Sequence, residues 1–289
     1  MALTRMSDVA NAYNAGQHWM GFFRRGGPAM TAGLWTDMSY AAGIPVANYY
    51  VAPALTATAL NANEGILHGP NVNAAGFKKY LHKIMLLPVA AIGQAVFHVH
   101  DIVMVYAFID GDGGEQILDN TLPIPRYNGV GCKIMLVSQG AGIANAQDTI
   151  ITYTNSDGVQ KTWTGFTANA NTAGQLISGP NSGTQPAVAA NPFGNPYIIG
   201  QGDNGIRSID SINMLSGVGG IFAACIVKPL GFVSMQINET TPIEVDMLQD
   251  RLRIPMTEIQ DGAYIHMIGQ SSSTATPATL HGQLDFIWN

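Results

Sequence analysis

Residues 149–164 read Thr-Ile-Ile-Thr-Tyr-Thr-Asn-Ser-Asp-Gly-Val-Gln-Lys-Thr-Trp-Thr. The runs Thr149–Thr154 and Val159–Thr164 are β-branched and aromatic, the composition that suits a pleated, half-buried surface. Between them stands Asn155-Ser156-Asp157-Gly158, a turn cluster whose glycine accepts a positive φ. The pattern predicts a β-hairpin, and with it antiparallel pairing. Working outward, the same grammar recurs. Val96 to Phe108 ends at Asp110-Gly111-Asp112-Gly113-Gly114, and Lys133 to Ser138 lies between Gly131 and Gly140. Ile221–Val227 and Phe232–Asn238 flank Pro229. Ile243, Val245 and Met247 alternate with Glu244 and Asp246, the mark of a half-buried strand. Ala263–Ile268 is another short strand, and Leu280–Trp288 alternates again. About nine or ten short strands at turn-marked intervals predict an all-β fold, an antiparallel β-sandwich or jelly roll. Parallel α/β is disfavoured, because crossover helices of about a dozen residues are missing.

Two regions depart from this grammar. Residues 1–83 are broken by Gly26-Gly27-Pro28, Gly43-Ile44-Pro45 and His68-Gly69-Pro70, with aromatics between (Trp19, Phe22, Phe23, Trp35, Tyr40, Tyr49, Tyr50). They are expected to form an irregular N-terminal arm, laid over a partner or over the chain's own sheet. Its one helix is expected at Asp8–Ala15, with Ser7 as cap and Gly16 as stop. Residues 84–289 would form the β body. Within it, 165–207 is a long Gly/Pro/Asn-rich loop, and a structureless loop of about 40 residues is uncommon in a compact domain. It is expected to be ordered by a partner or to bind one.

Composition narrows the functional classes. Only 11% of the 289 residues are charged, against about a quarter in ordinary soluble domains. Net charge is −6 with 13 Lys plus Arg, which argues against nucleic-acid binding. No charge occurs between Thr162 and Gly202, nor between Gly262 and Leu284. Interface cores are depleted in charge, so these stretches read as surface buried against other subunits. The alternative is a neutral but solvated surface of Asn, Thr, Gly and Ser. Residues 84–109 and 214–233 are apolar, but they carry Asp101, Lys228 and prolines and read as pairs of buried strands rather than membrane spans. The N-terminus does not read as a secretory signal. Cys132 and Cys225 are too few for a zinc ribbon and are expected to be buried thiols, with one disulfide as the alternative.

No constellation commits the chain to catalysis. Alternation puts His98 and His100 on one face of a strand, the start of a cupin-like metal site, but Asp101 points the other way and no second motif follows. Asp110–Glu115 begins like a calcium loop, yet Glu115 stands where an EF-hand requires Gly and Thr121 where it requires Glu; a hairpin turn is expected. Glu244 with Asp246, and Glu258 with Asp261, are acid pairs a glycosidase would need, expected here on solvated faces. Arg24-Arg25 and Lys78-Lys79 are expected to stay in water. Trp163 and Trp288 could stack on sugars, or pack in the core or at its rim. Nucleophile-elbow and nucleotide-cradle motifs are absent from the sequence.

Low charge, Gly/Asn/Thr richness, the broken aromatic arm and the jelly-roll-like body together resemble virion structural proteins of tailed bacteriophages, of the capsid decoration (cement) or minor head type. The resemblance spans the whole chain and is carried by composition and architecture, so no functional residue is transferred. It implies a non-enzymatic particle protein without a cofactor, made in the host cytoplasm and found in the virion. It also implies a trimer or dimer that contacts partners such as the major capsid protein, with no direct nucleic acid and no membrane. The alternatives are a receptor- or glycan-binding module of a tail fibre or baseplate, and a metal-dependent cupin-like enzyme at His98 and His100.

Overall fold

Two long strands span the molecule, and every other element is arranged along them. The structure, a computed structural model, describes residues 3, 6–26, 30–89, 94–112, 114–140, 142–143, 147–168, 170, 172–178, 195–198, 202–216, 219–235, 242–247, 256–272 and 279–289. In chain order come α1 (Met6–Asn14), β1 (His18–Arg25), β2 (Trp35–Asp37), β3 (Gly43–Ile44), β4 (Lys79–Pro88), β5 (Ala95–Asp110), β6 (Gly114–Ile117), β7 (Lys133–Ser138) and β8 (Gln147–Asn155). Then follow β9 (Gln160–Thr167), β10 (Ile206–Met214), β11 (Ile221–Met235), β12 (Ile243–Asp246), β13 (Glu258–Ile259), β14 (Ile265–Ser271) and β15 (Leu280–Trp288). They form three antiparallel sheets. A central sheet runs β2-β14-β5-β11-β7, and a terminal sheet runs β12-β4-β15-β1-β3 with β13 also on β4. A hairpin sheet runs β6-β10-β8-β9. The chain is an all-β sandwich.

The two outer sheets share one face of the central sheet. Phe97 and Val99 of β5 join Leu230, Val233 and Met235 of β11 in a core with Leu81, Ile84, Leu284 and Phe286 of the terminal sheet. Further along the same strands, Val103, Met104 and Tyr106 join Phe222, Ala224 and Ile226 in a second core, with Ile151, Ile209 and Ile212 of the hairpin sheet. Successive strand residues point to opposite faces, and register shifts after Ile226 and Pro229 keep these apolar sets on one side. Burying each such side chain contributes about 1.5–3 kcal/mol. The opposite face carries Ile102, Val105, Ala223, Cys225 and Ile268, and is covered by Tyr50, Leu176 and Tyr197 from loops.

The seam between the first two cores is polar. Asp101 is fully buried there and accepts from Arg126 Nε and Nη2, both at 2.8 Å, and from the Tyr264 amide at 2.9 Å. Arg126 Nη2 also donates to the Ile102 carbonyl. Lys228, directly across from Asp101 on β11, donates to the Val130 carbonyl and lies over the Tyr127 ring.

The structure departs from several expectations. The hairpin is present as β8 and β9, two residues longer at the front and three at the back. The strands expected on either side of Pro229 are one strand, β11. Its neighbour β7 ends opposite Val227, so Pro229 faces an open edge where its missing N–H costs no ladder bond. The helix begins at Met6, which places Ser7 inside its first turn instead of at its cap; Gly16 stops it in a left-handed conformation (φ 70°). The division drawn at residue 83 does not coincide with a break, because β4 runs across it and β1 pairs along its whole length with β15. Residues 54–58 bridge to β5 at Val105 and Ala107. Of the 165–207 loop, the described pieces 172–178 and 195–198 line the free side of β7, through Leu176, Ile177 and Ile198. Residues 179–194 of the loop, and 236–238 of the strand expected after Pro229, lie outside the described residues.

Removing one partner of a buried ion pair leaves the other desolvated, which costs about 3–5 kcal/mol. Arg126→Met is therefore expected to lower stability in urea by about that much, and the double variant Asp101→Asn/Arg126→Met by clearly less. Equal losses would show that the pair does not hold the seam.

Candidate functional site

A strand directs adjacent side chains to opposite faces, and this decides where the candidate residues fall. His98 and His100 lie on the loop-covered face of the central sheet. His98 packs against Trp35 at 4.9 Å and Tyr197 at 5.7 Å between ring centroids. His100 is completely buried, and neither ring nitrogen has a hydrogen-bond partner. Asp101 is on the other face with Arg126. Among the described residues, no group of three or more His, Cys, Asp or Glu is arranged to hold a metal ion.

The remaining acids are engaged locally. Glu244 pairs with Lys83 at 2.9 Å and Glu258 with Lys78 at 2.8 Å. Asp246 lies 3.4 Å from His82. Asp261 accepts from the amides of Val72 and Asn73, tying down a loop. In the expected turn, Asp110 accepts from the Asp112 amide and Glu115 from the Ser211 hydroxyl; Gly113 lies outside the described residues. Cys132 and Cys225 are free and buried. Trp288 is 8% exposed beneath Lys79, so it offers no stacking face, and Trp163 packs partly against the second core.

The two basic pairs correct an expectation. Arg24 and Lys78 are exposed, but Arg25 and Lys79 are fully buried. Both pairs lie in or at the start of a strand, where neighbours cannot share a face. Lys79 Nζ meets His68 Nδ1 at 3.0 Å and the Pro70 carbonyl, and burial pulls its pKa down to about 8. Arg25 donates to the carbonyls of Ala41 and Pro45 and contacts His266. His266 stands directly across from His100. Asp37 is 3.9 Å from His266 Nδ1 and accepts from Tyr50 and the Ser39 amide. Burial raises Asp37 to about 6 against those hydrogen bonds. This is a closed polar cluster under the 34–60 loop, and it clamps that loop to the sheet.

The open feature lies elsewhere. The terminal sheet's face away from the core exposes Phe22, Ile44 and Leu87 around a groove of about 320 Å³, with Met85, Arg24 and His281 beside them. Gly21-Phe22-Phe23-Arg24-Arg25 carries no two-residue period of polarity; strand geometry sends Phe23 and Arg25 inward and Phe22 and Arg24 outward.

No protein family matches the chain, and no curated relative does. Among solved structures it is similar to the infectious bursal disease virus VP2 subviral particle. The TM-score is 0.18 and the identity 9%, over 93% of this chain and 80% of that one. A likeness at that level decides nothing about function. No described helix is long and apolar enough to cross a membrane.

The buried histidines give a pH prediction. Burial holds His98 and His68 at about 4 and His100 at about 3, and drives His266 well below its ordinary value. Lys133 further lowers His98, Lys79 lowers His68, and Arg25 lowers His266. The unfolded chain then binds protons that the folded chain refuses, so stability is full above about pH 6.5 and falls as pH drops toward 4–3. Asp37, between about 6 and 3.8, and Asp101, which burial also raises, have the opposite sign, but they are two groups against five, since burial lowers His82 as well. Thermal unfolding from pH 8 to 4 is expected to show a falling Tm, with a shallower slope for His100→Leu. A flat profile would contradict the neutral, buried state.

Proposed function

We propose that this chain is a non-enzymatic structural component of a viral particle, of the capsid decoration or minor head type, acting by burial against neighbouring subunits. One observation carries the reading: a β body whose described surface is both poor in charge and rich in exposed apolar side chains. Charges are few to begin with, and Arg25, Asp37, Lys79, Asp101 and Arg126 are spent inside. Phe22, Ile44, Val46, Val51 and Val89 are each more than half exposed. Extended apolar surface on a soluble protein marks an interaction site. Among the described candidate residues, by contrast, Glu244, Asp246, Glu258 and Asp261 are engaged locally, and His98 and His100 lie on the loop-covered face.

In this reading the chain is made in the host cytoplasm and joins the virion as a closed homo-oligomer, resting on partners such as the major capsid protein. Of the described arm, α1 and β1 belong to the terminal sheet, while residues 35–60 and the described long-loop pieces 172–178 and 195–198 cover the chain's own central sheet. The surfaces left for neighbours are therefore the uncovered sheet faces.

The test is to purify particles from cells in which the gene is expressed in its native setting, and to quantify the chain across a density gradient. It is expected to travel with intact particles in a fixed ratio to the major capsid protein. Recovery only in the soluble fraction would contradict the proposal.

A further inference from the structure

Among the described residues, the outer face of the terminal sheet is covered at one end, where α1 lays Val9 and Ala12 over Ile287 and Tyr80. Beyond the helix, strand register arranges the outward side chains in three rows. The first is Ile44–Arg24–His281–Leu87, the second Phe22–Gln283–Met85–Glu244, and the third, nearest α1, Met20–Asp285–Lys83–Asp246. Phe22 and Ile44 are 65% and 67% exposed. The ends differ in charge. The first row has Arg24 and no acid, whereas the third holds Asp285, 7% exposed at the edge of α1 with Gln283 donating to it, and Asp246 beside His82, with Lys83 as its one cation.

We propose that this face joins two copies of the chain around a two-fold axis lying along the middle row. The inference rests on the assembly reading above and names its first contact. A two-fold contact presents the same patch from both copies. With the axis along the middle row, the Arg24 end of one copy meets the Asp285 end of the other, and Phe22 and Met85 meet their own counterparts. The helix decides between orientations. Packed sheets stand about 10 Å apart and a helix is about 10–12 Å across, so α1 fills the height a partner sheet would occupy. This axis puts the two helices at opposite ends of the contact, where each closes one side. An axis parallel to the strands would drive α1 into α1 and set the Arg24 row on itself.

Light scattering of the full-length chain after size exclusion, over a concentration series, tests the contact. The wild type is expected to be a dimer, or a larger assembly of dimers. Phe22→Asp is expected to break the pair while leaving circular dichroism unchanged, and to have the Tm of the wild type diluted to monomer, since Phe22 faces solvent in the single chain and the dimer's extra stability depends on concentration. Arg24→Glu, turned toward Asp285, is expected to raise the dissociation constant about tenfold or more. Residue 20 of one copy lies opposite residue 24 of the other, so adding Met20→Lys to Arg24→Glu is expected to restore pairing. Met20→Lys alone is expected to weaken it.

A wild-type monomer at about 100 µM would overturn the proposal. So would an oligomer indifferent to Phe22→Asp. In either case, co-sedimentation with particles would leave the structural role standing and assign this face to another virion protein. A chain that neither self-associates nor joins particles would remove both.

Discussion

The Asp101–Arg126 ion pair sits where the two sandwich cores meet, and the arrangement of the sheets depends on it. A carboxylate removed from water needs partners, and this one has two guanidinium nitrogens and a backbone amide. Burial raises its pKa; the Arg126 charge and the hydrogen bonds pull the other way. The pair also fixes register. A one-residue slip of β5 would move Asp101 to the opposite face, among Ile102's neighbours Val105, Ala223 and Ile268 and away from Arg126. Because β5 and β11 pass through both cores, fixing them there places the terminal sheet and the hairpin sheet together.

Much of this architecture was legible before any coordinates. The hairpin at 149–164, the strand at 133–138 and the alternation at 243–247 carried their own turn signals or two-residue period. β1 was hidden because both of its faces are apolar or aromatic, so Trp19, Met20, Phe22 and Phe23 showed no alternation of polarity. β4 was cut short at its charged front, although Lys79 and Leu81 point inward there. Pro229 looked like a strand boundary because sequence does not reveal that β7 stops two residues earlier. The buried members of the basic pairs follow from strand geometry alone, once the strands are known. Cys132 and Cys225 read correctly as buried thiols from their apolar surroundings.

The functional surface was less legible, and for a physical reason. An uncharged stretch can mean a solvated Asn/Thr/Gly surface, a surface covered by the chain itself, or one covered by a neighbour. All three occur in the expected composition. The 34–60 and 172–178 stretches are covered by and cover their own sheet, held by the Arg25–His266–Asp37 cluster and by Leu176 against β7. The outer face of the terminal sheet is different: strand pairing satisfies its backbone, yet among the described residues its side chains Phe22, Met85 and Leu87 find no cover beyond α1. Fold stability and assembly are thus divided between the two faces of one sheet.

The central claim is that this outer face is built to be covered. Oxidation of individual methionines, followed by mass spectrometry of the intact protein at rising concentration, reads it directly. Met20 and Met85 lie on the face, whereas Met6 is 67% exposed on α1. The account predicts that Met20 and Met85 become protected as concentration rises while Met6 continues to react. Equal reaction of all three at every concentration, and in assembled particles, would contradict it.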